Sequence, residues 1–375
     1  MFTVYFLLIL LLIYFLSLLL YIIGNFKNNP PLKNNHLEPV SVIVTVKNGA
    51  SSLSNILNDL KNQDYNGNIE YIIVDDQSTD NSKKIIKNFV ENNNQFRYIS
   101  SKEGNPKLFF KKKALDAGIK NSHFDVLLFT DVDCRLKNTW VTSMAQLFNK
   151  NIDYVIGVSK IDHQNNIVSW FQKIDLRMLF CVARGMCNLG IPFASIGQNQ
   201  AYKKDIYEKI GFLDISDSIQ GDDTLFLQLC AKKNVKIIFN DDPKSFVNSR
   251  IEKNIWPFIK QRIRWAADLK VMWNYNKILF IISLSTFITN SLILLIILDL
   301  LFLKTYNCLQ ILYVIIFMKI ILELILYVIG GFKLGFKINL VSFLYWFVLE
   351  IPYVVFMGIS SFFVQLIGWR GQKNN

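Results

Sequence analysis

Histidine is nearly missing from this chain, with three (His36, His123 and His163) in 375 residues, and no Cys-x-x-Cys spacing occurs among its five cysteines. A zinc site of the usual His/Cys spacing is therefore excluded, and general-base work falls to carboxylates. The thiols Cys134, Cys181, Cys187, Cys230 and Cys308 read as reduced and structural, as a cytoplasmic face would keep them. The apolar N-terminal run has no basic residue before it and no small-residue cleavage site after it, where Gly24-Asn25-Phe26-Lys27 follows. It reads as a retained anchor rather than a cleaved signal. No internal repeat is found. The net charge of +12 lacks the clustering that nucleic-acid binding needs. Its lysines and arginines gather beside apolar stretches (Lys253, Lys260, Arg262, Arg264, Lys270, Lys277, Lys333, Lys337), where attraction to anionic lipid explains them without nucleic acid.

What is abundant is apolar length: 51% of the chain is hydrophobic. Phe2 to Ile23 contains no charge, and at ~1.5 Å per residue it reaches ~33 Å, enough for a hydrocarbon core of ~30 Å. Three further stretches, Ile278 to Leu303, Cys308 to Gly330 and Ile338 to Ile367, form a C-terminal membrane module. Within it Lys319 and Glu323 stand four apart and pair on one helical face, and Glu350 beside Pro352 interrupts the last stretch. The expected organisation is an N-terminal anchor at 1–24, a soluble domain at 38–253, an interfacial amphipathic helix at 254–277, a membrane module at 278–367 and a tail at 368–375.

Between anchor and module, β-branched runs alternate with helical periods, the mark of βα units around a mostly parallel sheet. Strands are predicted at Ser41–Val46, Ile69–Val74, Phe96–Ile99, Val126–Thr130, Tyr154–Ser159 and Val235–Phe239. Helices are predicted at Ser52–Gln63, Ser82–Asn92, Lys111–Asn121, Thr139–Asn149, Ile167–Arg184 and from about Asp222 to Lys232.

Acidic residues close several of these runs, where an α/β sheet places its ligand contacts. Asp75 and Asp76 follow Tyr71–Val74 and either accept hydrogen bonds from a nucleotide's base or ribose or merely open a turn, with Asp80 capping the next helix. Asp131-Val-Asp133 ends Phe124–Thr130 and suits a hard divalent cation that also takes diphosphate oxygens. Lys111, in the run Lys111-Lys-Lys113, is placed to meet a diphosphate or to lie on a solvated face. Asp222 and Asp223 either cap a helix or supply a base whose pKa is raised by burial. Gln261, Arg264 and Trp265 share one helical turn that suits phosphate and a sugar ring, or else anchors the helix at the bilayer.

In order, Ser41–Asn48, Val74–Asp80, Asp131-Val-Asp133, Gly221-Asp-Asp223 and Gln261-x-x-Arg264-Trp265 resemble the family 2 glycosyltransferases of the GT-A fold, over roughly Val40 to Trp265. The resemblance implies a Rossmann-like mixed sheet and inverting transfer from a nucleoside-diphosphate sugar to a lipid or lipid-linked acceptor at the cytoplasmic face of the cell membrane. It implies that Asp75 or Asp76 meets the base, that Asp131 and Asp133 hold Mg²⁺ or Mn²⁺ with the diphosphate, and that Asp223 is the base, with Asp222 beside it. It implies further that Gln261, Arg264 and Trp265 close over donor and acceptor. Gly197-Gln-Asn199-Gln-Ala-Tyr202 resembles the family's Gly-x-Asn-x-Ala-Tyr segment near the donor sugar. The chain departs from the family at Asn48-Gly49, where an Asn-Glu pair is usual, and at Gln372 in the tail Trp369-Arg-Gly-Gln372, where an arginine is usual. A processive polysaccharide synthase shares the Gln-x-x-Arg-Trp signature but usually carries more spans. A nucleotidyltransferase gives no reason for Gln261 to Trp265 at a bilayer, and a non-catalytic scaffold or transporter gives none for three acidic sites.

Overall fold

The computed structural model describes residues 2–28, 37–148, 151–161, 166–216, 218, 221–302 and 309–366. The tail motif Trp369 to Gln372 and Cys308 lie outside them. Two compact units form, and neither is continuous in the chain: a sheet unit of Asn28–Asp162 with Cys187–Arg250, and a helical unit of Met1–Lys27, His163–Met186 and Ile251–Asn375.

In chain order the elements are α1 (Phe2–Phe26), β1 (Val40–Val46), α2 (Ala50–Lys61), β2 (Ile69–Asp75), α3 (Ser82–Glu91), β3 (Phe96–Ser100), α4 (Phe110–Lys120), β4 (Val126–Asp131) and α5 (Trp140–Ala145). There follow β5 (Tyr154–Ile156), β6 (Ser159–Ile161), α6 (Ile167–Asn188), β7 (Gln200–Lys203), α7 (Lys204–Ile210), α8 (Thr224–Lys232), β8 (Ile237–Phe239) and β9 (Val247–Ser249). The last four helices are α9 (Ile255–Tyr275), α10 (Lys277–Phe302), α11 (Leu309–Lys333) and α12 (Leu340–Ser360).

The sheet runs β3-β2-β1-β4-β7-β5-β8, a mixed sheet of seven strands. Its first four strands are parallel, and β7 is antiparallel to both neighbours. β1 (VSVIVTV) is apolar on both faces because helices cover both sides, as parallel strands require. On one face Val40, Val42, Val44 and Val46 pack with Leu53, Ile56, Leu57 and Leu60 of α2. The expected strand Tyr154–Ser159 divides in two: β5 joins the main sheet, while β6 pairs with β9 as a separate parallel ribbon. Asn199 explains the division. Its fully buried amide donates to Val158 O at 2.8 Å and Ser245 O at 2.9 Å and accepts from Trp140 Nε1 at 2.9 Å, so it takes over the hydrogen bonding between the two.

Among the described residues four helices are long and apolar enough to cross a membrane: Val4–Phe26, Lys277–Phe302, Leu309–Lys333 and Leu340–Val364. The helix of the last runs through Pro352 without interruption and gives way to a 3₁₀ turn only at Ser361–Leu366, so a break near Pro352, which would make this segment re-entrant, does not occur. α1 meets α6 at two glycines: a Cβ on Gly24 would stand 2.0 Å from Gly185 O, and one on Gly185 2.5 Å from Tyr21 O. Only hydrogen fits at such a crossing. Asn25 then donates to Cys181 O at 2.7 Å, and Arg184 returns a bond to Asn25 O at 3.1 Å.

Lys319 and Glu323 pair at 2.6 Å as their spacing predicts, and the same ammonium reaches Glu350 at 2.7 Å. Tyr14 of α1 donates to Glu323 at 2.6 Å and Asn290 of α10 to Glu350 at 3.4 Å. The charges that interrupt α11 and α12 thus meet each other and draw in side chains of α1 and α10, which removes the cost of an unpaired charge in hydrocarbon.

Candidate active site

The strand register sets the frame. β1 ends with Thr45 opposite Asp131 and Val46 opposite Asp75, so both carboxylates stand at the carboxyl edge of the parallel strands. The β3-α4-β4 crossover must bring α4 back antiparallel to the strands, which puts its first turn at that same edge. β7 runs against β4, so the loop entering it, which holds Gly197, also arrives there.

At this edge five predicted residues come together. Lys111 Nζ lies 2.8 Å from Asp131 Oδ1 and 3.1 Å from Asp222 Oδ2. Asp223 caps α8, its Oδ1 accepting from Thr224 N at 2.5 Å, while its Oδ2 accepts from Gly197 N at 3.0 Å. A Cβ on Gly197 would meet Lys111 Nζ at 2.9 Å and the Oδ2 atoms of Asp222 and Asp223 at 3.1 and 3.6 Å. A side chain there would push the Lys111 ammonium aside. Phe110 starts α4 at φ +54°, a left-handed conformation that costs a bulky residue about 1 kcal/mol or more and sets the direction of Lys111.

The run Lys111–Lys113 is not a solvated face. Lys112 is buried and donates to Ser218 O, and to Ser218 Oγ at 3.0 Å, so adjacent lysines of α4 grip both ends of the segment that carries Asp222.

Burial, with the charge of Asp222 next, raises the Asp223 carboxyl to about 6, against the opposing pull of the Thr224 amide and Lys111. Burial alone would depress the Lys111 ammonium, but Asp131 and Asp222 outweigh it and hold the group above the ordinary lysine range. One ammonium among Asp131, Asp222 and Asp223 leaves a formal charge of −2. Asp133 follows in the turn after β4, half-buried, and its charge together with that of Asp131 acts on the Cys134 thiol, which burial first pushes up. Among the described residues no three His, Cys, Asp or Glu side chains form a metal-ligating group. Neighbouring carboxylates with surplus negative charge suit a hard divalent cation that takes its remaining oxygens from phosphate and water.

Further along the edge, Asp75 is buried, and its reading as a turn former has a structural counterpart. It accepts from Ser78 N at 3.2 Å, opening a turn, and from Tyr98 OH at 3.5 Å. Asp80 accepts from Ser82 N at 2.9 Å and Ala50 N at 3.1 Å, so it joins the starts of α2 and α3. Asp76 is half-buried, and burial raises its pKa. Asn48 and Gln77 adopt φ of +51° and +52°, and the Asn48 side chain accepts from Thr79 N at 2.8 Å. Asn48-Gly49, the departure from the usual pair, thus holds the two strand-end loops together.

Gln261, Arg264 and Trp265 lie on α9 of the helical unit, each half-buried. Between them Arg262, which the sequence does not mark as a site residue, is 3% exposed and pairs with Asp175 of α6 at 3.1 Å. An arginine expected to reach for lipid head groups is instead buried.

Residues 41–211 match the profile described as glycosyl transferase family 2. The chain is 24% identical over 241 residues to the poly-beta-1,6-N-acetyl-D-glucosamine synthase of Staphylococcus epidermidis (strain RP62A), covering 63% of this chain and 56% of the relative. The Staphylococcus aureus (strain COL) synthase gives 24% over 240 residues with the same coverage. The chain therefore spans a little over half the length of these relatives. Among solved structures, the mannosyltransferase PcManGT from Pyrobaculum calidifontis, in complex with GDP-Man and Mn²⁺, superposes with a TM-score of 0.61 at 14% identity, covering 95% of this chain and 97% of that one. That likeness is one of fold. With this mixed sheet and this superposition the chain has the GT-A fold, and its residues 41–211 carry the glycosyl transferase family 2 match beside helices long and apolar enough to cross a membrane.

Proposed function

We propose that this enzyme moves a sugar, with inversion, from a nucleoside-diphosphate sugar to a lipid or lipid-linked acceptor at the cytoplasmic face of the membrane. The observation that carries the reading is the gathering of Lys111, Asp131, Asp222, Asp223 and the Gly197 amide at one place on the carboxyl edge of the sheet. In this reading Asp223 takes the proton of the acceptor hydroxyl. The hydroxyl oxygen bonds to the anomeric carbon as that carbon's bond to the diphosphate breaks on the opposite face, and the pair of electrons leaves with the nucleoside diphosphate. A carboxyl raised to about 6 is matched to proton abstraction near neutral pH.

Asp131 and Asp133 would hold Mg²⁺ or Mn²⁺, which when bound supplies Lewis-acid stabilisation of charge on the diphosphate. Lys111 is placed to contribute further positive charge there, Asp222 holds Lys111 in position, and Asp75 and Asp76 hold the nucleobase at the neighbouring strand end. Gln261 and Arg264 would meet the donor diphosphate and Trp265 the acceptor. Lys27, Lys277, Lys333 and Lys337 beside the spans favour a cytoplasmic sheet unit under the positive-inside rule.

A second reading, polymerisation of the transferred sugar, is favoured by the synthase relatives. Membranes incubated with a panel of labelled nucleotide sugars decide both. Nucleoside diphosphate release with a single sugar on an extractable lipid supports single transfer. A ladder of lengths supports polymerisation, and release from no donor overturns the reading.

A further inference from the structure

Phe258, Arg262 and Trp265 follow one another at four and three positions along α9, so they share one helix face. On α6, Phe171 and Asp175 are likewise four apart. The two faces meet. Phe171 packs edge-on against Phe258 with centroids 5.9 Å apart, and Asp175 reaches Arg262 at 3.1 Å. Tyr353 of α12 closes the group, stacked on Phe258 at 6.1 Å and edge-on to Phe171 at 4.9 Å. The Arg262 guanidinium then lies over the Trp265 ring at 4.1 Å and 5.3 Å from the Phe258 centroid.

This arrangement is more specific than packing needs. Lys260 and Lys270 on the same helix stay exposed, yet Arg262 is 3% and Asp175 7% exposed. A buried ion pair is rarely more stabilising than apolar residues of the same volume, so stability alone gives no reason for one here. What apolar residues cannot do is hold a cation over an indole ring.

We propose that Asp175 is a positioning residue for the transfer reaction: its carboxylate fixes Arg262, and Arg262 fixes the indole of Trp265, leaving the ring's opposite face as a rigid platform for the acceptor. The proposal rests on the reading of Trp265 as the acceptor contact. Asp175 touches no substrate in this scheme. Its effect reaches the reaction through two side chains, and therefore appears in kcat and in the KM for acceptor while the KM for donor stays as it was.

The test is a double-mutant cycle on the full-length protein in lipid nanodiscs, read as nucleoside diphosphate release under varied donor and acceptor. Asp175→Asn is expected to lower kcat about 10-fold with donor KM within about twofold, and Asp175→Glu to recover most of that loss. Trp265→Ala is expected to lose about as much, and Asp175→Asn with Trp265→Ala no more than about twofold beyond Trp265→Ala alone, because both remove one platform. Should Asp175→Asn fail to fold, the paired replacement Asp175→Leu with Arg262→Met carries the test. It removes both charges, so it is expected to melt within about 3 °C of the unchanged protein and still to be about 10-fold slower. Multiplicative losses in the cycle, or a paired apolar variant at full rate, would overturn the proposal. Full turnover by Trp265→Ala alone would instead remove the reading of the motif beneath it.

Discussion

The sheet unit and the helical unit each gather a lysine among carboxylates, and the two gatherings are finished differently. In the helical unit Lys319, Glu323 and Glu350 are 0%, 4% and 5% exposed, and Tyr14 and Asn290 donate to the glutamates. The Lys319 ammonium also lies 5.0 Å from the Phe347 ring. Every approach to the cluster is taken by protein. In the sheet unit the Lys111 and Asp131 side chains keep 27% and 26% of their surface, and three carboxylates share one ammonium. Closed charge joins helices, whereas charge left open with an imbalance is ready for a ligand.

Breaking the open cluster should cost chemistry and breaking the closed one should cost protein. Asp223→Asn keeps the N-cap acceptor but removes the proposed base. Turnover should fall about 10²- to 10⁴-fold in a nucleoside diphosphate release assay, while the yield of folded protein is unchanged. Lys319→Leu leaves two carboxylates buried together without their cation. It should destabilise the folded protein by about 3 to 5 kcal/mol, seen as loss of monodisperse material in detergent. Adding Glu323→Leu and Glu350→Leu should bring the material back, with turnover per folded molecule near that of the unchanged protein.

A smaller and more diagnostic effect is that of pH. The Asp223 carboxyl is raised from 3.8 to about 6, so the base is neutral below about 6 and kcat/KM should fall about tenfold per pH unit there. The sign for stability is opposite. A folded-state pKa above the unfolded value favours the neutral form, a contribution fully present below 3.8 and lost as pH rises through about 6. Asp223→Asn should therefore flatten the melting temperature between pH 4 and 7, a scan that checks the assignment without any substrate. Smallest of all, Gly197→Ala should lower turnover about 10-fold with little change in melting temperature, because its Cβ would displace the Lys111 ammonium 2.9 Å away rather than a core side chain.

Strands β1 to β4 and helices α2 to α4 lie within two residues of their places in the sequence reading, because continuous β-branched runs and helical periods report burial directly. The gathering of Lys111 with Asp131 and Asp222 was not legible. It depends on α4 and the loop before β7 both returning to one sheet edge, a tertiary fact that periodicity does not carry. Asp223 satisfies the bland and the functional reading at once, since the geometry that caps α8 also buries the carboxyl and raises its pKa. Arg262 was hidden for another reason: composition assigns a cation on an amphipathic helix to the lipid surface, and its partner Asp175 lies on a helix 87 positions earlier in the chain.

The central claim is that the carboxylates at the sheet's carboxyl edge form one catalytic place with divided roles. The most direct measurement compares donor binding with turnover in Asp131→Asn and Asp223→Asn, by calorimetry with a nucleotide sugar and Mn²⁺ and by product release. The account predicts that Asp131→Asn loses both, and that Asp223→Asn binds donor within about threefold of the unchanged protein yet does not turn it over. Unimpaired turnover by Asp223→Asn, or unimpaired donor binding by Asp131→Asn, would contradict it.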